Sequence, residues 1–135
     1  MILEKYLNSI SIVFGLVGGF AVSWLGGMDT ILHTLMVVVV VDYITGLMKG
    51  WKLQQISSRV GFNGLLKKIL IFIVVGVAVE LEKILGNAIP LREVVIMFYL
   101  ANEGISFLEN VSVFIPLPEK LRTVFLQIRD KGEEK

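Results

Sequence analysis

Four long apolar segments alternate with short polar or glycine-containing connectors along the chain. They cover about residues 7–25, 30–49, 62–82 and 91–114, and each approaches the roughly 20 residues that a membrane-spanning helix needs. A shorter segment, about 118–129, carries apolar side chains at the i, i+3, i+4, i+7 spacing of an amphipathic surface helix. The pattern predicts an all-α integral membrane protein of one domain, residues 1–135, with four spans and a C-terminal amphipathic helix.

The first apolar segment leaves a second topology open. No charged residue occurs from Tyr6 to Met28, a stretch of roughly 35 Å as a helix. The segment ends without the small-residue cleavage site of a signal peptide, so we expect it to be retained. In the alternative, only three segments span the membrane and the first one is interfacial.

Composition supports a membrane protein and argues against several kinds of active site. The hydrophobic content is 55% before the 13 glycines are added, whereas soluble domains reach about 45–50% with glycine included. The chain has no cysteine and one histidine, which excludes thiolate and multi-histidine metal sites. It also lacks a phosphate-binding loop and a nucleophile–base set on one helix face. We therefore expect a protein that is not an enzyme and has no catalytic residues, cofactor or metal.

The fourth apolar segment has one strongly polar face. On a helical wheel, an arc of roughly 120° contains Asn102, Glu103, Ser106, Glu109 and Asn110. Ionised groups in hydrocarbon cost several kcal/mol each. This face should therefore meet partner helices, a sister subunit or water, as a dry packing surface or a water-lined wall.

Charged residues of the second and third segments should lie at a similar depth. Asp42 shares a helix face with Thr45, about 10 Å inside the predicted cytoplasmic boundary. Lys67 and Lys68 enter the third segment from the same side. We hypothesise that Asp42 or Glu109 pairs with one of these lysines, within or between subunits.

Glu103 presents a separate problem because it is near mid-membrane. The one cation on its own helix face, Arg92, is eleven residues away. The sequence leaves three states open for Glu103, namely protonated, exposed to water, or paired with a neighbour through Asn102 or Ser106.

Two pairs of glycines have the small-xxx-small spacing that lets membrane helices approach closely. Gly15 and Gly19 form one pair in the first segment, and Gly46 and Gly50 form the other at the end of the second. We predict that both pairs mark helix contacts.

Loop charge predicts the orientation in the membrane. Basic residues concentrate in the connector between the second and third segments and at the C-terminus, namely Lys49, Lys52, Arg59, Lys67 and Lys68, then Lys120, Arg122, Arg129, Lys131 and Lys135. With four spans these two regions lie on the same side, which the positive-inside rule places in the cytoplasm together with both termini. The basic connector carries no nucleic-acid-binding motif, so we expect no nucleic-acid partner.

Several polar blocks follow one another along the chain, namely Asp42-Tyr43-x-Thr45-Gly46-x-x-Lys49, Ser57-Ser58, Gly64-Leu65-x-Lys67-Lys68, Tyr99-x-x-Asn102-Glu103-Gly104-x-Ser106-x-x-Glu109-Asn110 and Pro116-x-Pro118-x-x-Leu121. In their residues, order and spacing these blocks resemble the phage-lysis and toxin-secretion holin family of Gram-positive bacteria and their phages. The resemblance covers about residues 29–129, and the first segment matches only in character.

The resemblance implies a holin of the host cytoplasmic membrane. Such a protein forms homo-oligomers in the lipid bilayer and then opens lesions that release a cell-wall hydrolase (an endolysin) or a large toxin. Two other functions fit a small polar-faced membrane protein, namely a four-helix proton-coupled transporter and a structural membrane-assembly subunit.

Overall fold

The computed structural model describes residues 1–134, which form five α-helices joined by short turns. Each predicted segment corresponds to one helix, so the all-helical prediction is confirmed over this range. The helices are α1 (Ile2–Trp24), α2 (Thr30–Lys52), α3 (Ser58–Ile84), α4 (Leu91–Ser112) and α5 (Glu119–Glu133). Lys135, the last residue of the predicted basic C-terminus, lies outside the described residues.

Local signals in the sequence set where the helices begin. The Asp29 carboxylate accepts a hydrogen bond from the Leu32 N–H at 3.1 Å, and this caps α2. Ser57 caps α3 in the same way by accepting from the Val60 N–H at 3.2 Å. Pro90 has a non-helical ψ of 64° and directly precedes Leu91, the first helical residue of α4.

Helices α2, α3 and α4 form a bundle around one apolar core. α2 and α4 run parallel, since Arg92 of α4 meets the N-cap of α2 and Lys52 at the end of α2 bonds the Val113 carbonyl after α4. α3 runs antiparallel to both, which follows from its position between them in the chain. The core side chains are Leu32, Leu35 and Val39 of α2, Ile71 and Val75 of α3, and Ile96 and Leu100 of α4.

Three helices of the described chain, α1, α2 and α4, are long and apolar enough to cross a membrane. The predicted count of four spans is therefore not supported by length and apolarity. Helix α3 differs from these three because Lys67 and Lys68 interrupt its apolar sequence and Glu80 and Glu82 lie near its end. The three candidate spans also differ from the three-span alternative, which made the first segment interfacial.

Helix α1 lies almost entirely outside the bundle. None of its residues is buried, and its contact with the bundle is at its end, where the Trp24 ring lies against Gly76 of α3 and occupies the space of a missing side chain. Side chains added at Gly15 or Gly19 would meet nothing within 4 Å in this chain. The apolar surface of α1 is therefore left for lipid or for another subunit.

Helix α5 packs antiparallel along α4, whereas the sequence predicted a helix on the membrane surface. The Phe125 ring lies against Gly104, and a Cβ built on Gly132 would lie 2.8 Å from the Met97 Cβ. Because both glycines lack side chains, the two helices come close together. The apolar edge that suggested a membrane-surface helix is used here to cover α4.

Candidate functional site

The polar residues of three helices meet in what we call the buried ion network, Asp42, Lys68 and Glu103. The Lys68 ammonium of α3 forms ion pairs with the carboxylates of Asp42 on α2 and Glu103 on α4. The side chains of Asp42, Glu103 and Lys68 are only 4%, 13% and 16% exposed. One cation thus joins all three helices of the bundle.

A carboxamide and a hydroxyl complete the surroundings of Asp42. The Asn110 Nδ2 donates to Asp42 Oδ1 at 2.9 Å and to the Asp42 carbonyl at 3.1 Å, and lies 3.2 Å from Thr45 Oγ1. A Cβ on Gly46 would lie 3.5 Å from the same Nδ2. Gly46 therefore marks the place where α2 and α4 approach, and every one of these polar groups has a partner.

The ion network explains why lysine interrupts the apolar sequence of α3. A buried carboxylate without a partner is strongly destabilising, and a paired one is tolerated. The hypothesis that Asp42 pairs with a lysine of the third segment is confirmed, and the lysine is Lys68. Glu103 is paired directly with that same lysine, rather than through Asn102 or Ser106.

The remaining polar residues of the prediction lie around this network. Lys67 and Asn102 line a cleft on one side of it with Glu103, and Ser106 lines a second cleft with Asp42 and Asn110. Glu109 is exposed and borders a groove at the α4–α5 turn together with Arg122. The polar arc of α4 is thus divided between the bundle interior and the surface.

Gly50, the second glycine of the pair in α2, lies beside the connector that follows the helix. Gly50 lies at the end of α2, where an added Cβ would be 3.7 Å from Ile56 of the connector. Within residues 1–134, no group of three or more histidine, aspartate or glutamate side chains is placed to hold a metal ion.

A second polar cluster, centred on Arg92, was missed by the sequence analysis. The Arg92 guanidinium donates to the carbonyls of Leu25 at 2.6 Å and Gly27 at 2.9 Å, and to the Asp29 carboxylate at 2.7 Å. Its side chain fills the space beside Gly26, whose φ of +92° also favours glycine. Arg92 thereby ties the α1–α2 turn to the start of α4. A signal was present, because the two connectors predicted on the outer side carry opposite charges at Asp29 and Arg92.

We predict an acid-dependent loss of stability at this turn. The hydrogen bond from Arg92 holds the pKa of Asp29 below its usual 3.8, although partial burial opposes the shift. A lowered folded-state pKa means that the ion pair stabilises fully above the unfolded value and that this contribution is lost as the pH falls through the folded value. In detergent, the melting temperature of Asp29→Asn should therefore be lower than that of the unaltered chain at pH 6. The difference should begin to shrink only below about pH 4, as the Asp29 carboxylate becomes protonated. A difference in melting temperature that stayed constant down to pH 2 would contradict this prediction. Glu4→Gln is the matched control, because it removes an exposed carboxylate.

The fold and the site define a class, namely a small helical membrane protein whose bundle is joined by a buried ion network. The sequence profile described as "Bacteriophage holin family" matches residues 19–130. The chain therefore belongs to the bacteriophage holin family, which is not an enzyme family.

Individual relatives support this assignment. A 14.9 kDa protein of Clostridium perfringens is 39% identical over 96% of this chain and 99% of its own length. A protein of Listeria monocytogenes is 40% identical over 90% of this chain and 85% of its own. A probable holin of Bacillus phage phi105 is 36% identical over 67% of both chains. No solved structure matches the chain.

Proposed function

We propose that this protein is a holin that forms homo-oligomers in the cytoplasmic membrane of its host. Its lesions then release a cell-wall hydrolase, or in some settings a large toxin, without any catalytic step of its own. The observation that carries the proposal is membership of the holin family, together with the similarity to a probable holin of a Bacillus phage. The structure adds three supporting features.

The first supporting feature is the parallel arrangement of α2 and α4. Both are candidate spans and run in the same direction, so the chain must cross back between them, and α3 is the helix that connects them. Its 27 residues give roughly 40 Å of helix. We therefore propose four spans, with the N-terminus, the basic α2–α3 connector and the α4–α5 turn on the cytoplasmic side.

The second supporting feature is the bare surface of α1. A charge-free helix with no buried residue offers a contact surface for a second copy of the chain. Gly15 and Gly19 face open space on this helix, and small residues at this spacing favour close packing between membrane helices. We propose that this face of α1 contributes to the homo-oligomer.

The third supporting feature is the division of polar residues around the ion network. Asp42, Lys68 and Asn110 are used inside the bundle, where they pack helices of one chain. Lys67 and Glu109 remain exposed. We propose that the inner set holds each subunit together and that the outer set meets neighbouring subunits or water in the lesion.

A lytic-release assay tests the proposal. The chain is expressed from a controlled promoter in a bacterial host, with and without a cytoplasmic endolysin. The measurements are cell viability, endolysin activity in the culture medium and proton leakage across the membrane. We expect loss of viability on its own and enzyme release when both are present. Proton flux without enzyme release would support the transporter instead, and no leakage at any expression level would support a structural subunit.

A matched pair of substitutions adds a residue-level prediction to this assay. Glu103→Gln removes one carboxylate from the ion network but leaves the Lys68–Asp42 pair, so we expect membrane insertion to persist and the onset of lysis to shift. Glu80→Gln is the control, because Glu80 is exposed near the end of α3 and its partner Lys83 is exposed as well. Identical lysis times for both variants and the unaltered chain at equal membrane levels would contradict the prediction.

A further inference from the structure

Helix α5 lies beside the interior of α4, not beside its ends. Phe125 contacts Gly104, which adjoins Glu103 of the ion network, and seven residues later Gly132 contacts Met97, seven residues earlier in α4. The antiparallel register is therefore kept over two turns. Since α4 is a candidate span, α5 lies at the depth of the membrane interior.

The inner edge of α5 packs closely on α4 at Gly104, and we call this contact the seat. The Phe125 ring occupies the space that a side chain at Gly104 would need, and Ile128 packs against the apolar core of the bundle. Gly132 is buried against Met97. Two glycines, one on each helix, are required for this approach, so the contact is specific in register.

The outer edge of α5 is mainly polar, with Val124 as an exposed apolar side chain among its polar residues. Lys120, Gln127, Asp130 and Lys131 are all exposed, and the half-buried Arg129 contacts Asp130. A row of ionised side chains facing hydrocarbon is strongly unfavourable. The seated position of α5 is therefore compatible with a bilayer only where this outer edge meets water.

We propose that α5 folds back along α4 into the membrane and lines the aqueous passage of the assembled protein. Its apolar edge, Phe125, Ile128 and Gly132, packs on α4, and its charged edge faces the water through which cargo passes. This inference rests on the proposed holin function, because it names the element that forms the wall of the lesion.

A disulfide can hold α5 on α4, and a separate thiol can then report whether the outer edge of α5 faces water or lipid. The natural chain has no cysteine, so introduced thiols are the only ones present. The substitutions Met97→Cys and Gly132→Cys place two thiols across the seat, and a shift of about 1 Å brings their Cβ atoms into the usual disulfide range of about 3.5–4.5 Å. A third substitution, Gln127→Cys, reports on the outer edge.

The full-length triple variant is reconstituted in lipid vesicles, oxidised, and treated with a membrane-impermeant maleimide on both sides. We expect a disulfide within one chain and labelling at position 127 within about threefold of Glu134→Cys, while Phe14→Cys on α1 reacts at least tenfold more slowly. Gln127→Cys with Met97→Ser and Gly132→Ser is the unlocked control.

Two outcomes would overturn the proposal. Failure of the disulfide to form, with normal labelling of the unlocked control, would show that α5 does not sit on α4 in a bilayer. Labelling at position 127 that slows to the rate of Phe14→Cys once the lock forms would show that the seated outer edge faces lipid. Dye release by the unaltered chain is measured separately, so a protein that does not leak refutes the holin function without deciding where α5 lies.

Discussion

Replacement of Lys68 by methionine should destabilise the folded protein by about 3–5 kcal/mol, the range for removing one partner of a buried ion pair. The substitution would leave the Asp42 and Glu103 carboxylates close together without a cation. Neutralising them in the triple variant Asp42→Asn, Lys68→Met, Glu103→Gln should recover much of the loss, because the destabilisation comes from unpaired charge and not from lost volume. Reversible unfolding in mixed detergent micelles measures both.

The neighbouring lysine provides a matched control for this prediction. Lys67→Met makes the same change of charge and size one residue away, at an exposed position that forms no part of the network. Substitutions at such surface positions usually change stability by about 0.5 kcal/mol or less. Equal losses for the two lysines would mean that the ion network does not stabilise the folded protein.

Replacement of Arg92 by alanine should cost at least about 1.5–3 kcal/mol, the value for one hydrogen bond that involves a charged group. The Arg92 side chain is only 12% exposed and serves two carbonyls and one carboxylate at once. Arg92→Lys should not restore the loss, because an ammonium cannot reproduce the planar fork that reaches all three acceptors. The same unfolding measurement applies, and faster protease cleavage at the α1–α2 turn should accompany it.

The control for Arg92 is Lys83→Ala, near the same end of the bundle. Lys83 forms an exposed ion pair with Glu80 within α3, and exposed pairs contribute about 0–1 kcal/mol. A loss at Arg92 no larger than the loss at Lys83 would contradict a structural role for the Arg92 cluster.

The helices themselves were predictable because each has its own local signal. Long apolar segments and the caps at Asp29 and Ser57 fix α2 and α3 before any tertiary contact is considered. The choice between Lys67 and Lys68 was not predictable from these signals. Adjacent residues on a helix point about 100° apart, and the rotation of α3 about its axis depends on how it packs between α2 and α4.

The position of α5 was missed for a different reason. An amphipathic pattern gives the same signal for a helix on a membrane surface and for one that packs on another helix. Only Gly104 and Gly132 distinguish the two cases, and glycine is common enough in membrane helices to pass without notice. Arg92 was missed because its partners belong to a turn more than sixty residues earlier in the chain.

The order of the three charges along the chain has a consequence for biosynthesis. In the proposed four-span arrangement, Asp42 would enter the membrane first, Lys68 would follow on the next helix and neutralise it, and Glu103 would arrive last. The α2–α3 hairpin is thus an electrically balanced unit that can be inserted before translation is complete. Helix α4 then adds a second acid, Glu103, so we expect correct insertion of α4 to depend on a hairpin that has already folded with Lys68 turned toward its interior.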